Sequence, residues 1–133
     1  MINPSSGPGN GSLTDPNYLR EIPKLNAFPN VRTIGYVRIA WTTRDINAVL
    51  DDVSTYASWR NANTSLQLHG IFYDETPNNY TESGIEYMQR IDEFAKGHDG
   101  FGGVNYVKFP SSSLKLFELI RLDRSQPRLD SRG

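Results

Sequence analysis

The sequence predicts an α/β fold, a partial (β/α) barrel with parallel strands, and three observations carry that prediction. Leu68–Glu75 reads Leu-His-Gly-Ile-Phe-Tyr-Asp-Glu, and from Gly70 to Tyr73 it is apolar or small on both alternating faces, the pattern of a strand covered on two sides in a parallel sheet. Strand-like segments end at Asn3, Arg38, Asp74 and Phe109, which stand 35, 36 and 35 positions apart, the length of one strand-loop-helix-loop unit. Between these ends lie stretches with helical periodicity. A TIM-type barrel has eight such units in about 250 residues, and this chain supplies about four, a piece with two exposed strand edges.

Met1-Ile2-Asn3 reads as the end of a strand, followed by the turn-rich Pro4–Ser12. Glycines 7, 9 and 11 match neither a dinucleotide fingerprint nor a phosphate loop, so this loop is structural or a rim facing a ligand, the structural role being favoured. Thr14 or Asp15 can cap a short helix with Pro16 at its first position and Pro23 limiting its length. Val31–Ala40 reads as a strand with Tyr36 and Arg38 on one face. Thr42 with Asp45 forms an acidic variant of the capping box for a helix from about Thr43 to Trp59, with Ile46, Val49, Leu50, Val53 and Ala57 at helical spacing. After Asp74-Glu75 and a polar loop, Tyr87, Met88, Ile91, Phe94 and Ala95 share one side of a helix stopped by Gly97. Val104–Phe109 is a further strand ended by Pro110. Residues 1–110 thus form the barrel-like domain, and 111–133 an atypical segment, a helix capped by Ser113 and then a disordered tail alternating Arg and Asp.

At 133 residues, 37% hydrophobic and 11% aromatic, the composition is that of one globular domain. Fourteen basic and fifteen acidic residues leave a net charge of -1, which provides no electrostatic case for nucleic acid or an anionic membrane as partner. The absence of Cys excludes a disulfide framework, a thiol nucleophile and a Cys-based zinc site. His69 and His98 have no metal-ligand spacing, so neither metal nor other cofactor is expected. No run reaches the roughly 20 apolar residues of a membrane-spanning helix, and Met1–Pro4 has neither the basic start nor the apolar core of an export signal.

Chemistry concentrates at Asp74 and Glu75, because ligands of parallel α/β folds bind beyond the carboxyl ends of the strands. The plainer alternative is that one of them only helps the turn before Thr76-Pro77. Successive residues of an extended strand point to opposite faces, so an uninterrupted strand would send only one of the two carboxyls into a cleft. Tyr36, Trp41, Tyr73 and Tyr80, at or near strand ends, are candidates to stack on a ligand through their apolar ring faces, whereas Trp59 and Tyr87 on helices read as core. Arg44 and His69 have no nucleophile motif beside them. Sequons at Asn10, Asn63 and Asn79 fall in expected loops and agree with a secreted parent protein.

Four ordered motifs then bring a resemblance into view: Asn3-Pro4-Ser5-Ser6-Gly7-Pro8-Gly9; Pro23-Lys24-Leu25-Asn26 with Pro29-Asn30-Val31-Arg32-Thr33; Gly35-Tyr36-Val37-Arg38; and Gly70-Ile71-Phe72-Tyr73-Asp74-Glu75. Over about residues 1–80 the chain resembles the spherulin-4-like family, or spherulation-specific family 4, of fungal and slime-mould cell-surface proteins. The resemblance implies a β/α-barrel glycoside hydrolase acting on galactosaminogalactan-like polysaccharide, with an extracellular or cell-surface location. It places Asp74 and Glu75 on the family's acidic pair, one catalytic and the other orienting it or holding a sugar hydroxyl. Asn3, Tyr36 and Arg38 would line the sugar cleft, with Tyr73 a further substrate contact. The chain departs from the family where an upstream strand and helix would stand. It departs again after Tyr106-Val107, where Lys108-Phe109-Pro110 replaces an Asn-Pro-Gly turn. No counterpart of the family's later glutamate can be assigned, Glu118 standing in the wrong setting. The expectation is an incomplete copy, which would self-associate through its strand edges; the alternative is a non-catalytic carbohydrate-binding or wall-associated protein.

Overall fold

A computed structural model describes residues 1–77, 81–98, 101 and the backbone of 106–107. Three parallel strands, β1 (Ile34–Arg38), β2 (Gly70–Asp74) and β3 (Tyr106–Val107), form a sheet in the order of the chain, with Arg38 opposite Asp74 and Phe72 opposite Tyr106. Ile2 extends the sheet beyond β1 by a parallel bridge to Gly35, its N–H donating to Ile34 O at 2.8 Å and its carbonyl accepting from Tyr36 N–H at 2.9 Å. Four parallel segments thus lie side by side in sequence order. Each is joined to the next by a helix: α1 (Pro16–Asn26), α2 (Ile46–Ala62) and α3 (Glu82–Lys96). Parallel neighbours need such crossovers, which put helices on a sheet face.

Local chemistry sets the helix limits. Asp15 caps α1 by accepting from Tyr18 N–H at 3.0 Å, with Pro16 at the first helical position where its missing N–H costs nothing. Helix α2 begins at Ile46, three residues later than the pattern suggests. Asp45, not Thr42, is its cap, accepting from Asn47 N–H at 3.1 Å, because Thr42 has φ 70° and cannot lead directly into a helix. Its other end runs past Trp59 to Ala62, where Asn63 turns extended and its side chain accepts from Ser65 N–H. Thr81 caps α3 through Gly84 N–H at 3.0 Å, and Gly97 closes it. Strand β1 covers only the middle of the expected Val31–Ala40. The expected helix at Ser113 and the tail lie outside the described residues, as do Asn79, Tyr80 and Phe109.

The core lies between the sheet and the helices. Val37 and Ile39 from the β1 segment and Ile71 and Tyr73 from β2 are fully buried against Val49, Val53, Tyr56 and Trp59 of α2 and Met88, Ile91 and Ala95 of α3. The opposite face is different. Ile34, Tyr36, Phe72 and Asp74 are half-buried and Arg38 is exposed, so β2 is fully covered on one side and partly on the other, a correction to the two-sided burial its composition suggests. Tyr36 and Phe72 stack on this open face with ring centroids 6.1 Å apart.

One side chain ties helix to sheet. The Tyr56 ring lies over Gly35, where an added Cβ would come within 2.8 Å of ring carbons, and its hydroxyl donates to Tyr36 O at 2.8 Å and Ile2 O at 3.2 Å. With both ends of the ring held, Gly35→Ala is expected to lower the stability of the chain by about 1–3 kcal/mol through overpacking. Urea titration measures this, and an unchanged midpoint would mean that the ring yields freely.

Candidate functional site

The open face carries its polar groups where β1 and β2 end. Alternation along β1 puts Tyr36 and Arg38 on this face, and the register sets Arg38 beside Asp74. The Tyr36 hydroxyl donates to Asp74 Oδ2 at 2.8 Å, and Arg38 Nε donates to Glu75 Oε1 at 2.6 Å. Asp74 at the end of β2 and Glu75 just beyond it are therefore each held by a different residue of β1. The Arg38–Glu75 pair is 48% and 27% exposed, so its contribution to stability is about 0–1 kcal/mol and its main effect is to orient the two side chains.

Both carboxylates reach one end of the sheet because the strand does not stay extended. Glu75 has φ 62°, in the left-handed region, and its N–H turns back onto Asp74 Oδ1 at 2.8 Å. The strict alternation that would part the two side chains is broken at that residue. Ala40, Trp41 and Thr42, following β1, are left-handed as well, with φ 50°, 53° and 70°. Such a conformation costs a non-glycine residue about 1–2 kcal/mol. Hydrogen bonds hold the turn: Trp41 N–H to Glu75 O at 2.6 Å, Ile39 N–H to Asp74 O at 3.1 Å, Thr42 N–H to Ile39 O at 3.0 Å and Thr43 N–H to Ala40 O at 2.8 Å. At a net gain of about 1 kcal/mol each they do little more than offset the strain, so the surrounding fold must impose this geometry. Left-handed non-glycine residues tend to gather at functional sites, and here four of them meet at two strand ends.

The other expected residues separate. Asn3 is exposed, and its Oδ1 accepts from Gly7 N–H at 3.1 Å, so that oxygen shapes the loop following it. Gly7 has φ 151°, and a Cβ there would meet Asp52 Oδ2 at 3.2 Å, which gives the loop glycine a structural reason. Tyr73 corrects the expectation of a substrate contact: it is fully buried on the helix side, and its hydroxyl donates to Ile91 O at 3.1 Å. Nothing in the sequence signals what Arg44 does. Its Nη1 donates to Arg38 O at 2.8 Å and pairs with Asp52 Oδ2 at 2.8 Å, while its own carbonyl accepts from the Tyr87 hydroxyl at 2.8 Å. Arg44 thereby fixes the end of β1 from behind. His69 sits at the opposite end of the sheet, where Nδ1 accepts from Thr33 N–H at 3.3 Å. Asn10 and Asn63 are exposed, and Asn63 Oδ1 already accepts from Ser65. No group of residues able to hold a metal ion occurs among the described residues, and no described helix is long and apolar enough to cross a membrane.

Burial first, then the hydrogen bond to Asp74 and the negative charges of Asp74 and Glu75, raise the Tyr36 phenol from its ordinary 10.0 to about 12, with Arg38 acting in the other direction. Tyr36 is therefore a neutral hydrogen-bond donor at physiological pH. A phenol whose pKa is higher folded than unfolded stabilises the fold fully below pH 10 and loses that contribution as pH rises towards 12. Between these values the wild-type chain is expected to lose stability more steeply than Tyr36→Phe, as urea midpoints measured along the pH series will show; parallel curves would contradict the assignment.

Comparison with known proteins agrees with this geometry. The family model for spherulation-specific family 4 matches residues 1–111 of the 133. Spherulin-4 of Physarum polycephalum is 33% identical over 112 residues, covering 84% of this chain and 30% of that protein. The crystal structure of Aspergillus clavatus Sph3 in complex with GalNAc superposes with a TM-score of 0.76 at 43% identity, over 81% of this chain and 44% of that one. The chain thus spans less than half the length of either relative. With its family model matched over most of its length and a parallel sheet whose acidic β2 end meets the Tyr36 and Arg38 side chains of β1, this chain belongs to spherulation-specific family 4.

Proposed function

We propose that the chain carries an acidic strand end, Asp74-Glu75, of a glycoside hydrolase acting on galactosaminogalactan-like polysaccharide, within a (β/α) barrel of TIM type to which it contributes about four units. The observation that carries this reading is the left-handed turn at Glu75, which brings Asp74 and Glu75 to the same strand end with separate partners on β1. Glycosidic cleavage commonly uses two carboxyl groups, one donating a proton to the leaving oxygen and the other acting as nucleophile or base. One of the pair fills such a role and the other orients it or accepts from a sugar hydroxyl. Tyr36 and Arg38 place them, and the Arg38 guanidinium offers further donors to a sugar. The GalNAc bound to the Aspergillus relative supports an N-acetylgalactosamine-containing ligand for this face. An extracellular or cell-surface setting fits, with exposed sequons at Asn10 and Asn63. Self-association would use the outer edges of the sheet, beyond Ile2 and β3.

A second reading, a surface that binds the polysaccharide without cutting it, is favoured by one observation. Asp74 and Glu75 come from a single strand end, whereas the two carboxyls of a glycosidase flank the scissile bond about 5 to 9.5 Å apart. Release of reducing ends from galactosaminogalactan by the purified chain separates the two. The hydrolase reading expects release that falls by about a hundredfold or more in Asp74→Asn or Glu75→Gln while calorimetric binding persists. Binding with no release by the wild-type chain would establish the second reading.

A further inference from the structure

We propose that Trp41 is a stacking platform for a galactose-configured pyranose at the rim of the Asp74–Glu75 site, a role that rests on the carbohydrate reading given above. Trp41 is 50% exposed, whereas the other tryptophan, Trp59, is fully buried against Tyr56. An exposed aromatic residue on a loop needs no explanation by itself. Trp41 differs in its backbone and its neighbour. It is the middle of three consecutive left-handed residues, at φ 53° and ψ 35°, a conformation bulky side chains seldom adopt. Its N–H donates to Glu75 O at 2.6 Å, so the main chain that bears the indole is tied to the residue that bears the carboxylate. The same turn is closed at its far side by Thr43, whose N–H and hydroxyl both donate to Ala40 O.

The chemistry suits a sugar. The indole offers a large apolar face, and Arg38 and Glu75 at the same strand ends offer donors and acceptors, the combination that carbohydrate recognition requires. In galactose and N-acetylgalactosamine the axial C4 hydroxyl occupies one face of the ring and leaves a continuous patch of C–H groups on the other. That patch can lie on the indole while the hydroxyls reach the charged residues. Trp41 would then hold the sugar unit adjoining the one at Asp74 and Glu75, acting in binding and not in bond cleavage.

The two tryptophans make this measurable. Titration of the purified chain with oligosaccharides of N-acetylgalactosamine is expected to change its intrinsic fluorescence. In Trp41→Phe, with Trp59 the sole indole, the change disappears while calorimetric affinity stays within a few-fold of wild type. In Trp41→Ala affinity falls about tenfold or more, with circular dichroism and thermal midpoint preserved. Unchanged affinity in Trp41→Ala, or a fluorescence response that survives in Trp41→Phe, would falsify the platform while leaving the sugar-binding face intact. If the wild-type chain binds no such oligosaccharide, the carbohydrate reading fails and the platform with it.

Discussion

The sheet is held to its helices by a phenol occupying the space that a missing side chain leaves. Tyr56 lies on Gly35 and donates to the carbonyls of Ile2 and Tyr36, so a single α2 residue grips the N-terminal segment and β1 together. Burial pushes the Tyr56 phenol well above its ordinary range, so it remains a donor at any pH the fold encounters. One accepting carbonyl matters to the site directly, since Tyr36 bears the hydroxyl that meets Asp74. What looks like core packing is therefore also alignment, and it acts on the side of the sheet that the helices do not cover.

From that alignment the site follows by register. Arg38 stands beside Asp74, Tyr36 reaches Asp74, and Arg38 reaches one residue further to Glu75 because the chain there has already left the strand. Arg44 secures the same region from the helix side through the Arg38 carbonyl and Asp52. The charges are thus mutually arranged before any ligand arrives, which lowers the reorganisation that binding would demand.

Much of this was legible in the sequence, for reasons that can be named. The period of the strand ends reflects the size of a strand-helix unit, and Asp15 caps α1 because its short side chain reaches a free N–H of the first turn. Placing Tyr36 and Arg38 on one face needed only the two-residue repeat of a strand. What could not be read was backbone conformation against propensity. Ala40, Trp41, Thr42 and Glu75 give no sign in their side chains that they turn left-handed, because the surrounding fold imposes the turn, with Trp41 N–H to Glu75 O and Ile39 N–H to Asp74 O joining the two strand ends. Tyr73 misled for a related reason: next to Asp74 in sequence, it belongs to the opposite face. The Asn26–Thr33 stretch is a network at the other end of the sheet, Asn26 Nδ2 donating to Ser65 O and Gln67 O and its Oδ1 accepting from Thr33. Its motif marks architecture, not chemistry.

The grip of Tyr56 on Ile2 also bears on how the chain is made. Synthesis proceeds from the N-terminus, yet the hydroxyl that secures Ile2 belongs to a residue 54 positions later. Until α2 has formed, the Ile2 segment has β1 and, through Asn3 N–H and the Tyr18 hydroxyl, α1 to hold it, but not the Tyr56 hydroxyl. The Ile2 segment therefore waits for a partner that arrives much later, a long-range closure of the kind that slows folding.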